Sequence, residues 1–186
     1  MLKENFALYL RPLQLEDAQV SWQWRNNPKL WRFTGSKPDK FITPEMETEW
    51  LASVLQRPDE KRFAIVMKEN EKYIGNIFLT GIKDGVAEHH IFIGETDYWG
   101  KGRPAQASYL ILEYAFQQLG LHTVYIITNK RNLPALAIAN GLGWQEVGDE
   151  GDTHVKHIYT SSLFWENHQN GLLQQHFEKL AAKALR

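Results

Sequence analysis

Between residues 63 and 95 the chain runs through three apolar stretches, FAIVMK, YIGNIFLTGI and VAEHHIFIGE, parted only by ENEK and KDG. Connections this short leave one way to pair: neighbouring strands must be antiparallel, because a parallel crossover needs a dozen or more residues. Directly after this meander comes DYWGKGRPAQAS (97–108), two glycines around a lysine, opening the strongest helical pattern in the chain. In RPAQASYLILEYAFQQLG (103–120), Ala107, Leu110, Ile111, Tyr114 and Ala115 keep the helical period, and Gly120 ends it.

The flanking segments complete a mixed pattern. FALYLRPL (6–13) reads as an opening strand closed by Pro12, and LEDAQVSWQWRNNP (15–28) as a weakly amphipathic helix that stops before Pro28. A polar and aromatic loop, KLWRFTGSKPDKF, follows. Thr43-Pro44-Glu45 has the marks of a helix start: a capping hydroxyl, proline at the first helical position and acids in the first turn. Met46, Trp50, Leu51, Val54 and Leu55 give that helix an apolar stripe. Beyond the central helix, TVYIIT (123–128) is a buried-type strand, NLPALAIANGLG (132–143) a short helix, and WQEVG a strand. HVKHIYTSSLF (154–164) alternates as a last strand, and GLLQQHFEKLAAKAL is helical, with Leu173, Phe177, Leu180 and Ala184 on one side. The expected class is α/β of the α+β kind, a mixed and mostly antiparallel central sheet flanked by helices. Residues 1–186 are expected to form one domain, with a helical tail from about 166.

Composition narrows the function. A formal net charge of −1 lacks the basic excess that general nucleic-acid binding needs. Without cysteine there is no disulfide framework, thiolate nucleophile or Cys-based zinc site. His89, His90, His154 and His157 are adjacent or three apart on strands, positions that face opposite ways, so no metal is expected. The start of the chain lacks a signal-peptide pattern and no run is long enough to span a membrane, so a cytoplasmic protein is the default.

A glycine turn ahead of a helix gathers unpaired N–H groups at the positive end of the helix dipole, a place for an anion and most often a phosphate. Lys101 and Arg103 add positive charge. A Walker loop would need Ser or Thr after the lysine, and Gly102 stands there. A dinucleotide fold would open with a βαβ unit and carry an acid after its second strand, whereas TVYIIT ends at Thr128-Asn129.

YWGKGRPAQA, followed by a helix, a strand and NKRNLPALAIANGLGWQEVG, resembles the GNAT superfamily of acetyl-CoA-dependent N-acetyltransferases, most closely its RimJ/RimL-like branch. The likeness extends to RPLQLEDA and ITPEMETEWL and so covers nearly the whole chain. It implies acetyl-CoA as donor, with the pyrophosphate on the amides of Gly100, Lys101, Gly102, Arg103 and Ala105. Trp99 takes the place of the family's leading polar residue, and Pro104 removes one amide but suits a first helical turn. The resemblance also implies pantetheine contacts from the backbone of Phe92, Ile93 and Gly94 and from Asn132. The tyrosine that the family places seven residues after that asparagine, to protonate the leaving thiolate, is Ala139 here.

Amine acetylation requires an unprotonated, aligned amine, so a carboxylate near the reacting end is the group to find. Glu88 is that candidate, fourteen positions before Gly102. Alternation puts Glu88, His90 and Phe92 on one face of their strand, making His90 a second titrating candidate. On the acceptor side, Trp24, Arg25, Asn26, Trp31 and Thr34 combine flat apolar surface with charge, while Trp22 and Trp50 read as core. The expected reaction is acetyl transfer to a primary amine of a protein N-terminus, a small metabolite or an amino sugar. The alternative is an acyl-CoA-binding module without catalysis, and the amphipathic tail allows a homodimer.

Overall fold

The meander forms as its turn lengths require. In the computed structural model, which describes residues 2–31 and 37–184, strands β2 (Lys61–Met67), β3 (Tyr73–Lys83) and β4 (Val86–Ile93) pair antiparallel in succession. Strand β1 (Leu8–Pro12) adds to β2, and β5 (Thr123–Asn129), β7 (His154–Thr160) and β6 (Gln145–Glu150) continue beyond β4. The sheet order is β1-β2-β3-β4-β5-β7-β6, antiparallel throughout except for β4 against β5. That one parallel pair is joined by helix α3 (Arg103–Gln117), the crossover such a pair demands.

Each face of the sheet has its own core. On one, Ile65, Ile77, Ala87 and Val124 meet Ile111, Leu112 and Phe116 of α3, together with Tyr159 and Phe164. Helix α4 (Leu133–Leu142) adds Ala139 and Leu142 to this face. On the other, helices α1 (Ala18–Arg25) and α2 (Pro44–Val54) set Ala18, Trp24, Leu51 and Val54 against Ala64, Val66 and Tyr73. Fully burying an apolar side chain of this size stabilises by about 1.5–3 kcal/mol. Thr43 caps α2 by accepting from the Met46 amide at 3.3 Å, as its sequence predicts.

The α2 stripe departs from expectation. Its buried members are Glu47, Leu51 and Val54, while Leu55 is exposed and Met46 and Trp50 are half-buried. Glu47 enters the core because the Ser21 hydroxyl donates to it at 2.7 Å and the Arg25 Nε lies 3.6 Å away. Partnered in this way, a carboxylate tolerates burial.

The last strand also ends early. Thr160 accepts from the Leu163 amide at 3.2 Å and starts helix α5 (Ser161–Gln169) where strand alternation had been expected to continue to residue 164. Phe164 and Asn167 of α5 are buried, and Asn167 donates to the Tyr159 hydroxyl, which itself donates to the Leu142 carbonyl. Helix α6 (Leu172–Ala184) then buries Leu173 and Phe177, the latter against Phe6 and Tyr109.

Candidate active site

Strands β4 and β5 are paired only at their beginnings. Their register holds for Val86, Ala87 and Glu88 against Thr123, Val124 and Tyr125, and then the two strands part. From Glu88 to Gly94 this leaves roughly 20 Å of strand edge, at about 3.3 Å per residue, without a neighbouring strand. The Gly94 amide donates to Ile74 at 2.8 Å, so alternate residues back along β4, Phe92 among them, also turn their backbone groups to β3. The open edge therefore belongs to the peptide groups of Ile91 and Ile93, the His89 amide still closing the Glu88–Tyr125 rung. Of the expected trio Phe92, Ile93 and Gly94, Ile93 alone faces it, and its carbonyl accepts from the Trp99 indole at 2.9 Å.

At the far end of that edge lies the glycine turn. Gly100, Lys101 and Gly102 have φ of 77°, 50° and 72°, three successive left-handed residues that bend the backbone into a concave nest ahead of α3. Among the described residues no carbonyl accepts from the amides of Gly100, Lys101, Gly102 or Ala105. The Arg103 amide, the fifth expected donor, turns back to Gly100 at 3.3 Å. Its guanidinium instead lies over the Tyr98 ring, 5.0 Å from the centroid. Pro104 occupies the first turn of α3, where a missing amide breaks no helical bond. Leu180 of α6 rests on the turn, 2.9 Å from where a Cβ on Gly102 would stand.

Glu88 sits at the point where the strands part. Directly opposite on β5 is Tyr125, whose hydroxyl is 3.5 Å from Glu88 Oε2. Burial, and then the neighbouring Glu88, push the Tyr125 phenol above its ordinary pKa, so it keeps its proton. On the same face His90 Nε2 lies 3.7 Å from Glu88 Oε1 and 3.0 Å from the Thr80 hydroxyl. Burial lowers the His90 pKa, outweighing the pull of Glu88, and the ring stacks on Phe78 at 4.9 Å. The sheet thus brings together a carboxylate, a neutral imidazole and a protonated phenol. Sequence reasoning had found the first two. Tyr125 was missed because only the register across a parallel, sequence-distant pair reveals it.

The acceptor-side expectations divide. Trp24 is 4% exposed and belongs to the core: its indole donates to Glu95 at 2.9 Å, and its ring fills the space a Cβ on Gly94 would need. Asn26 is a clamp, accepting from the Ile42 amide and donating to the Ile42 carbonyl, so it holds the end of the loop to α1. Arg25 and Trp31 remain partly accessible; the guanidinium lies 5.3 Å from Trp31 and 4.9 Å from Trp50. Trp50, expected as plain core, is instead half-buried between Arg25 and Arg62, the latter at 5.4 Å. Thr34 lies outside the described residues.

Asn132 caps α4, its Oδ1 accepting from Ala135 at 3.4 Å. Ala139 is buried in the core beneath α4, so nothing at that position reaches the parting strands. Among the described residues no group of three or more His, Asp or Glu converges as a metal site would require.

Residues 7–145 match the acetyltransferase (GNAT) domain family. The chain belongs to the GNAT acetyltransferases. It is 32% identical over 146 residues to a spermidine N(1)-acetyltransferase of Escherichia coli, covering 77% of this chain and 75% of that protein. Among solved structures, a spermidine N-acetyltransferase from Vibrio cholerae in complex with CoA and spermine superposes with a TM-score of 0.76 at 22% identity, over 86% of this chain and 98% of that one. FdhC, a nucleotide-linked sugar GNAT, does so with a TM-score of 0.76 at 20% identity, over 90% and 94%. This chain is accordingly an acyltransferase of a family that uses acetyl-CoA.

Proposed function

We propose that this GNAT enzyme transfers the acetyl group of acetyl-CoA to a primary amine by direct attack in a ternary complex, with Glu88 as base and the acceptor drawn from polyamines, amino sugars or protein N-termini. Within the family we place it near the RimJ/RimL-like branch. The observation that carries this reading is the shared line of the Glu88–Tyr125 meeting point, the open β4 edge and the nest at 100–102. The donor set fits an acyl-CoA: four unpartnered amides suit a pyrophosphate, and the Ile91 peptide groups with the Ile93 amide on the open edge of β4 suit an extended amide-containing arm.

When bound, acetyl-CoA supplies an activated thioester. Glu88 receives the amine proton, directly or through one water, as the new C–N bond forms. Tyr125, across from it, would return a proton to the sulfur as the C–S bond breaks. Neutral His90, fixed by Thr80 and Phe78, stands 3.7 Å from the Glu88 carboxylate as a second group beside the reacting amine. Phe92 and Gly94 act through the strand's shape, and Asn132 through the start of α4.

Isothermal titration with acetyl-CoA and with ATP tests the donor, and thiol release with a panel of amines tests transfer. Binding of ATP in preference to acetyl-CoA would remove the reading. Binding of acetyl-CoA without thiol release from any amine would favour an acyl-CoA-binding module.

A further inference from the structure

One strip of the sheet face has a composition that the transfer chemistry does not require. Starting beside Glu88, the His90 ring stacks on Phe78, and the Arg62 guanidinium lies over the Phe78 ring, 4.3 Å from its centroid. Phe78 and Arg62 stand directly across one and then two strands from His90, a step of roughly 10 Å at the usual strand spacing. The strip continues: Arg62 meets Trp50, Trp50 meets Arg25, and Arg25 meets Trp31. Rings and guanidiniums alternate from the proposed reaction centre to the acceptor loop.

The two arginines differ in how they are neutralised. Arg62 is buried and held by Glu60 at 2.5 Å, and Glu60 also accepts from Arg57, so this trio carries a net positive charge. Arg25 is closer to solvent. Its nearest acid is Glu47, 3.6 Å away and already bonded to Ser21. The Arg25 Nε is buried against Glu47, whereas the terminal nitrogens of this partly exposed side chain have no hydrogen-bond partner among the described residues and are the donors left for a ligand. In sequence, the segments around it are basic before α2 begins: residues 22–31 and 37–41 carry Arg25, Lys29, Lys37 and Lys40 against Asp39, and α2 then adds Glu45, Glu47 and Glu49. A flat, stacked guanidinium with unused donors suits a carboxylate or a phosphate.

We infer that the acceptor carries, beyond its reacting amine, an anionic group that seats on Arg25 between the rings of Trp31 and Trp50. This rests on the acetyltransferase reading and narrows its acceptor class. The amine lies at Glu88 and the anion lies past Arg62, so the two ends of the acceptor are separated by at least the width of two strands. Arg62 holds the platform, and Arg25 reads the charge.

The test uses linear probe amines of matched length, bearing at the far end a carboxylate, a phosphate, a hydroxyl or a second amine, with acetyl-CoA fixed and thiol release followed. The anionic probes are expected to show KM about tenfold or more below the hydroxyl probe, the size of a charge-assisted hydrogen bond. The diamine should be the poorest, and salt should erase the preference. Carboxylate against phosphate identifies the source of the anion. In Arg25→Gln the anion preference should collapse mainly through KM, while Arg25→Lys should recover part of it by charge without the stacked plane. Quenching of tryptophan fluorescence by the anionic probe, measured at equilibrium, reports the same contact without turnover. Equal or better use of the diamine, or an anion preference that persists in Arg25→Gln, overturns the inference while leaving the transferase intact. Failure to bind acetyl-CoA overturns both.

Discussion

The Glu88 carboxylate and the Tyr125 hydroxyl lie 3.5 Å apart at the last rung shared by β4 and β5, where the sheet stops being continuous. A carboxylate, the proposed base, and a phenol that holds its proton therefore flank the same opening. Removing the first should be costly. Glu88→Gln is expected to lower kcat by about 10²–10⁴-fold, the range for a positioned base, with acetyl-CoA affinity little changed. Steady-state rates across pH, paired with calorimetric binding, check this: the loss should shrink as pH rises and more of the amine is unprotonated.

Tyr125→Phe keeps the ring and the Lys156 contact over it, 4.4 Å from the centroid, while removing the hydroxyl. The expected result is a fall in kcat of about a hundredfold, the lower end of what a positioned proton donor contributes. Donors with a more acidic thiol should suffer less. Comparing acetyl-CoA with such an analogue separates a proton-donating role from a packing one.

Gly100 and Gly102 share a left-handed conformation but not surroundings. A Cβ on Gly100 meets nothing within 4 Å, whereas one on Gly102 meets Leu180 at 2.9 Å. Gly100→Ala should cost about 1 kcal/mol of stability from backbone strain alone. Gly102→Ala should cost more, and both should weaken acetyl-CoA binding by distorting the nest. Thermal unfolding alongside calorimetry resolves the two contributions.

Acid should unfold this protein before its carboxylates titrate. Burial lowers the pKa of His89 to about 3, and lowers those of His90, His157 and His176 as well. Each binds its proton more readily when unfolded, so stability is full above the unfolded histidine pKa of about 6.5 and declines below it, by up to about 1.4 kcal/mol per pH unit per group. Burial opposes ionisation of Glu60 and Glu95 too, but their Arg and Lys partners outweigh it and lower their pKa values, so they add to the loss only at more acidic pH. Melting temperatures at pH 8, 6.5 and 5.5 should fall at the last step. His89→Leu, which removes a buried nitrogen without a partner, should flatten that fall.

The parts of the site that sequence revealed are those governed by short-range rules. Strand alternation assigned Glu88, His90 and Phe92 to one face, and two glycines before a helical run located the nest. What escaped depended on contacts between distant segments. Trp24 looked like a pocket residue until Gly94, seventy positions on, proved to make room for its ring. Glu47 had no place in the expected α2 stripe because its partners Ser21 and Arg25 lie on another helix. Tyr125 carried no local signal at all, since its meaning comes from a parallel register that no hairpin fixes.

The seat of Leu180 on Gly102 gives the far end of the chain a second use. Helix α6 is anchored midway by Phe177 against Phe6, and its last turns reach the nest itself. Events at residues 100–102 are thus mechanically continuous with the C-terminal helix, and thermodynamic coupling runs both ways. Amide exchange along α6 becomes a built-in gauge of what the nest is holding.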